Sequence, residues 1–335
     1  MTLTRNISAF ALLFTVLFIV CGARAEQLGA NPEAEALYER GNDYFQGDNG
    51  TPVNKEEAFN CWKKAAEMGH APSQHRLAYC YHFGEGVAQD LEKAIEWWRK
   101  SAEQGCVKAQ FNLAACYYVG AGVEKNFEEA VKWYRKAAEQ GDAESQFNLA
   151  VCYSKGFGVT QDKAEAVKWY RIAAEQGNMK AQLGLGFCYN QGTGVEKNDE
   201  EAVKWYRSAA DQGEVQAQHN LGIHYLEGLG IGQDKAEAVK WFRKAADQGD
   251  AESQASLGAC YCMGIGVDQD YTEGVKWFRK AAEQGNAQAQ YNLGICYTKG
   301  CGVTQDKAEG LKWLRKAADQ GDEDARNAIK AFYID

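Results

Sequence analysis

The sequence predicts an all-α chain: a solenoid of about eight helix-turn-helix repeats of 36 residues, set behind an export signal. Three recurrences predict it. One column of the chain holds Cys61, Trp97, Trp133, Trp169, Trp205, Trp241, Trp277 and Trp313, each 36 residues after the last. A second column holds Tyr81, Tyr117, Tyr153, Tyr189, Tyr225, Tyr261 and Tyr297 at the same step. A Gly-x-Gly motif followed by Val, or once by Ile231, divides the units after the first, for example at Gly120 and Gly122 and again at Gly300 and Gly302. A fixed period of a few tens of residues marks supersecondary units that bury their cores by stacking on one another.

The chain opens differently. Arg5 precedes an apolar run from Ala9 to Cys21, broken only by Thr15, and Ala23-Arg24-Ala25 is a small-x-small sequence. This pattern predicts a secretory signal peptide over residues 1–25, cut after Ala25. The apolar run is shorter than the roughly 20 residues a membrane-spanning helix needs. An uncleaved anchor and an acylated Cys21 are the alternatives; Val20 is bulky for the residue before an acylated cysteine. Residues 26–33 read as a short linker, and no second span follows. A secreted or periplasmic chain is therefore expected, with no integral membrane segment after cleavage.

Removing the signal takes away Arg5 and Arg24 and no acid. That leaves 35 basic against 46 acidic residues, a net charge of −11. This charge argues against nucleic acid or an anionic membrane surface as partner. Both signs are interspersed in every unit, as on a solvated outer face.

Within a unit, helix A comes first. In the third unit it runs from about Lys108 to Val119. Its recurring Ala109, Leu113, Cys116 and Tyr117 share one face by helical spacing. The loop glycines permit the positive φ that ends the helix, and Val123 is placed to fill the gap between helices. Helix B starts at Asp90, Asn126, Asp162, Asn198, Asp234, Asp270 or Asp306, all good N-caps. A glutamate three residues on, such as Glu165 after Asp162, gives the spacing of a capping box. Ala130, Val131, Trp133, Tyr134, Ala137 and Ala138 make the buried face of helix B, and Gly141 stops it. Proline occurs only at Pro32, Pro52 and Pro72, so no later helix is broken. Eight such pairs cover residues 34–321. The first is irregular, with Ala36 and Tyr44 shifted by one and a longer loop from Gly47 to Pro52. Residues 322–335 read as a more polar capping helix.

The pattern A-x-x-x-L-G/A-x-x-Y-x-x-G-x-G-V followed by D/N-x-x-x-A-V-K-W-Y-R-x-A-A-x-Q-G resembles the Sel1-like repeat family. Residues 289–321 match it nearly position for position, and the resemblance covers almost the whole chain after the signal. It implies a right-handed α/α superhelix related to tetratricopeptide arrays. It also implies an adaptor or scaffold that binds other proteins through helices A, which line the concave surface in such solenoids.

Catalytic, cofactor and metal sites are not expected. Cys80, Cys116, Cys152, Cys188, Cys260 and Cys296 fill one column, with His224 in the missing place. Successive repeats lie about a helix-packing distance apart, roughly 10 Å, which exceeds the reach of a disulfide. Equivalent cysteines therefore cannot pair, and the column reads as small apolar residues facing a neighbouring helix. Cys61, Cys106, Cys262 and Cys301 lack C-x-x-C spacing. A Cys61–Cys80 bridge is geometrically open, since the two lie on adjacent helices. His219 and His224 are five apart, not three or four, and no H-E-x-x-H, G-x-S-x-G or P-loop occurs. One branch of the resembled family is disulfide-bridged in every repeat and is linked to β-lactam binding or hydrolysis. Here Ala137, Ala138 and Gln146 stand where its cysteine pairs would be. A β-lactamase-like hydrolase and a cell-envelope glycan-binding protein are thus the alternatives to a protein-binding scaffold.

Once the frame columns are set aside, the variable columns of helix A are left for specificity. One runs His75, Phe111, Phe147, Leu183, His219, Ala255, Tyr291, and the polar column beside it runs Arg76, Asn112, Asn148, Gly184, Asn220, Ser256, Asn292. An asparagine side chain can both donate to and accept from an extended backbone. The expected partner-binding residues are Asn112, Asn148, Asn220 and Asn292 with the aromatics Phe111, Tyr118 and Phe147, and the expected partner is a protein or peptide.

Overall fold

The computed structural model describes residues 31–333. The expected signal peptide, its cleavage after Ala25 and acylation at Cys21 lie outside the described residues. Those residues form seventeen α-helices and no strand. The A helices are α1 (Pro32–Gln46), α3 (Ala71–Phe83), α5 (Val107–Val119), α7 (Ala143–Lys155), α9 (Met179–Gln191), α11 (Val215–Glu227), α13 (Ala251–Met263) and α15 (Ala287–Lys299). The B helices are α2 (Lys55–Glu67), α4 (Leu91–Glu103), α6 (Phe127–Glu139), α8 (Lys163–Glu175), α10 (Asp199–Asp211), α12 (Lys235–Asp247), α14 (Tyr271–Glu283) and α16 (Lys307–Asp319). A final helix, α17 (Glu323–Tyr333), packs on α16. The described residues divide into two compact units, one up to residue 161 with α1–α7 and one from residue 162 with α8–α17, and within each unit helices pack on their neighbours in chain order.

The core follows the columns. Leu77, Leu113 and Leu149 of the first unit, and Leu185, Leu221, Leu257 and Leu293 of the second, are fully buried. Each contributes about 1.5–3 kcal/mol by leaving water. Opposite them sits a large side chain from helix B. In the second unit Tyr206, Phe242, Phe278 and Leu314 press on Gly186, Gly222, Gly258 and Gly294 of the A helix, where a β-carbon would stand 2.7 Å from the ring or branch. A glycine inside a helix costs about 1 kcal/mol against alanine; here it admits a ring onto the backbone.

The expected N-caps of helix B are all formed: Asp270 accepts from the Glu273 amide at 3.0 Å, and Asp234 from Glu237 at 2.9 Å. The reciprocal half of a capping box is absent. The Asp270 amide donates instead to the Tyr261 carbonyl at 2.9 Å, closing the loop from helix A. The spare glutamate pairs with the lysine one turn on, as Glu273 with Lys276 at 2.9 Å.

Two polar ladders hold successive repeats together. Gln218 on α11 donates to the Ala210 carbonyl at the end of α10 (3.1 Å) and accepts from Gln248 at the end of α12 (2.8 Å). Gln110 does the same in the first unit with Ala102 and Gln140. The core tyrosines are tied at their hydroxyls by an arginine of the preceding helix B, as Arg207 to Tyr225 at 2.6 Å. The Gly-x-Gly motif has a second use. Gly264 caps α13 with φ +66°, but a β-carbon on Gly266 would lie 2.1 Å from the Lys235 carbonyl oxygen. The loop of one repeat thus rests on the backbone of the helix B before it.

Candidate protein-binding surface

Within each unit most of an A helix is enclosed: α3 and α5 in the first, and α9, α11, α13 and α15 in the second, pack on helix B of their own repeat and of the one before. What remains is one stripe. On α9 it carries Lys180, Leu183, Gly184, Phe187 and Gln191, a spacing of three, four, seven and eleven residues that keeps them on one face. Phe187 is 53 % exposed. Its column in the second unit continues as Ile223 on α11, Ala259 on α13 and Ile295 on α15, all half-buried. In the first unit the column is Tyr79, Ala115 and Val151, of which Ala115 is buried and the others half-buried.

The expected binding residues fall in different settings. Phe111 is half-buried, tilted against Tyr134 at 5.9 Å between centroids, and Phe147 is half-buried on the same stripe of α7. Asn112 is buried, and its amide meets His75 Nε2 at 3.1 Å, linking α5 to α3. Asn148 turns back on its own helix and donates to the Glu144 carbonyl at 2.8 Å. Asn220 and Asn292 are half-buried on the stripes of α11 and α15. Tyr118 leaves the stripe. It meets the edges of Phe127 (5.1 Å) and Phe157 (6.1 Å), and these two stack at 4.9 Å with Lys125 over Phe127. Tyr118 therefore belongs to the loop packing of the first unit. The Phe187 column was missed in the sequence because Tyr, Ala, Val, Phe and Ile there look like further core.

Histidine chemistry is internal. Burial, then Arg76 and Lys108, lowers the His75 pKa to about 3, so its ring accepts from Asn112 in the neutral form. His224, standing in the cysteine column, donates through Nδ1 to the Leu229 carbonyl (2.9 Å) and meets Asn190 through Nε2 (3.3 Å). Two histidines touch a serine: His219 Nδ1 lies 2.8 Å from Ser253 Oγ with Glu252 3.8 Å beyond, and His70 Nδ1 lies 2.8 Å from Ser73 Oγ with Glu35 at 3.1 Å. The order of groups suggests a nucleophile, base and carboxylate. However, Ser253 and Ser73 are both fully buried, so neither hydroxyl can reach a substrate.

The column cysteines are buried as expected. Burial pushes the thiols of Cys80, Cys116 and Cys152 up to about 12. Cys61 and Cys80 are free thiols, so the bridge left open by the sequence is not formed in this structure. Among the described residues no group of three or more side chains is placed to hold a metal, and no helix is long and apolar enough to cross a membrane.

The Sel1 repeat profile matches eight consecutive stretches, from residues 34–70 to 287–322. The chain belongs to the Sel1 repeat family. Among solved structures it is similar to a protective antigen of uropathogenic Escherichia coli described as displaying an SLR fold, with a TM-score of 0.86 and 39 % identity over 90 % of this chain. The chain spans 64 % of the length of that structure. It is also similar to a Sel1 repeat protein from Oxalobacter formigenes, with a TM-score of 0.69 and 32 % identity over 89 % of this chain and 86 % of that one. A comparison with curated proteins returned no match. The Sel1 matches begin each unit at helix A, so the stripe described above is one face of one helix per Sel1 repeat.

Proposed function

We propose that this Sel1 repeat chain is an exported, non-catalytic scaffold that binds a polypeptide segment on the exposed stripe of its A helices. Sel1 solenoids commonly serve as protein-interaction scaffolds. The observation that carries the reading here is Phe187. A large aromatic more than half exposed, in a row with Ile223 and Ile295, is the kind of anchor that interfaces use. Phe111 and Phe147, which vary between repeats, lie on the A-helix stripes, while the glycines and glutamines that recur are engaged within the fold.

Export is supported by the sequence over residues 1–25. It also suits the description of the E. coli relative as a protective antigen, since such a protein is accessible to antibody. N-terminal sequencing of the chain produced with its own leader tests this: a start at Glu26 is expected, and a retained Met1 contradicts it. Partner binding is tested by capture from the exporting compartment, identification of the bound protein and titration with purified components. Changing Asn112, Asn148 and Asn220 to alanine then tests the asparagines. Unchanged affinity would show that their amides serve the fold alone, as the bonds of Asn112 and Asn148 already suggest.

A further inference from the structure

Three cysteines surround one buried cluster of the last two repeats. Cys262 stands on α13, Cys296 on α15 and Cys301 in the loop after α15. Cys296 belongs to the buried cluster that includes Val275, Phe278 and Trp313, and both Cys262 and Cys301 pack against that cluster. The Cys262 and Cys296 thiols share a hydrogen bond. The two positions are 34 residues apart, not 36. That offset moves one partner about half a turn along its helix and brings the side chains together across the repeat junction. The same register puts Asn190 3.3 Å from His224 two repeats earlier. Equivalent cysteines, such as Cys260 and Cys296, do not share this placement.

The fold makes room for this contact. At the first buried position of helix B the earlier repeats carry Ala58, Ala94, Ala130, Ala166, Ala202 and Ala238, whereas this repeat carries Gly274. A β-carbon there would lie 2.4 Å from Cys262 Sγ. The glycine and the half-exposed thiol are thus matched to each other.

The geometry points to Cys262 and Cys296 as an oxidation site that forms a disulfide between the seventh and eighth repeats. The oxidant is a disulfide of the low-molecular-weight class, RSSR. Cys262 is the attacking sulfur: it is half-exposed, and the bond from Cys296 holds its pKa below the ordinary thiol value although burial and Asp270 oppose this. Its thiolate attacks one sulfur of RSSR, the S–S bond breaks, and RS⁻ leaves and takes up a proton. Cys296, buried and adjacent, then loses its proton and attacks Cys262 Sγ in the mixed disulfide, expelling the second RS⁻, which takes up that proton. The two cysteine sulfurs are oxidised, RSSR is reduced to two RSH, and α13 becomes joined to α15.

Native full chain treated with oxidised glutathione, then alkylated in denaturant, tests this. The expected product is lighter by about 2 Da before alkylation, as one disulfide requires. A tryptic digest should show residues 245–276 joined to residues 281–299. Cys260 and Cys262 share the first of these peptides, so fragmentation between them locates the link in the unaltered chain. The link should also survive in Cys260→Ser and vanish in Cys262→Ser. A chain that keeps all its thiols, a link at Cys260, or a link to the peptide carrying Cys301 would each overturn the assignment.

Discussion

Gly266→Ala isolates the contact that sets one repeat against the next. Gly266 has φ +70°, and a β-carbon there would lie 2.1 Å from the Lys235 oxygen, 2.4 Å from the Lys235 carbonyl carbon and 2.9 Å from the Ala236 nitrogen. All three are backbone atoms, so no side chain can rotate away. Gly249 supplies the comparison: it has φ +97° and nothing within 4 Å of its β-carbon position. A left-handed conformation costs a non-glycine residue about 1–2 kcal/mol, and that is the whole loss expected for Gly249→Ala. Gly266→Ala adds an overpacking term of about 1–3 kcal/mol, so roughly 2–5 kcal/mol is expected. Urea unfolding followed by far-UV circular dichroism measures both. Repeat arrays can unfold locally, so hydrogen exchange at the start of α12 gives a second reading, with faster exchange in Gly266→Ala alone. Equal losses for the two variants would refute the claim that the second glycine is required by the neighbouring repeat.

Other outcomes follow from the polar ladders and the histidines. Gln218→Ala removes two neutral hydrogen bonds, one buried and one part-buried, and should cost about 2 kcal/mol in denaturant unfolding; a loss below about 0.5 kcal/mol would show the ladder to be passive. The His75 pKa is lowered from 6.5 to about 3, chiefly by burial. Between those values the unfolded chain binds more protons than the folded one, so this group's contribution is complete above pH 6.5 and is lost as pH falls towards 3. Its slope is at most about 1.4 kcal/mol per pH unit. Unfolding free energies measured from pH 7 to 5 should fall less steeply in His75→Gln, and an unchanged slope would contradict the assignment.

The fold was legible in the sequence because a solenoid repeats its own solution. Leu77 to Leu293 and the Gly-x-Gly pairs recur in the last seven of the eight repeats and an Asp or Asn cap opens every helix B, so a single unit can be checked against its neighbours. The glutamine and arginine–tyrosine ladders recur equally well, yet their roles were not legible. Gln218 bonds to residues 8 behind and 30 ahead in sequence, and only stacked helices bring those together. The capping-box spacing misled for a related reason: the Asp270 amide was already taken by the Tyr261 carbonyl. The exposed A-helix stripe was legible only in part. Choosing columns by variability picked Phe111 and Phe147, which lie on it, and Asn112, which is buried against His75, because variability does not report orientation. Tyr118 varies and turns into a loop cluster, whereas Phe187 sits in a column of core-like residues and faces outward. The Cys262–Cys296 pair was not legible because the period lines up equivalent positions, and this contact joins non-equivalent ones.

The central claim is that a partner polypeptide is held on the A-helix stripe. The direct measurement is the Kd of the captured partner for the unaltered chain, for Phe187→Ala and for Ile172→Ala. Ile172 is 41 % exposed on the B helix α8 and serves as the control. Truncating a buried aromatic anchor costs about 2 kcal/mol or more, roughly 30-fold in Kd. That loss is expected for Phe187→Ala, with little change for Ile172→Ala. An unchanged Kd in Phe187→Ala, or an equal loss in Ile172→Ala, would contradict the account.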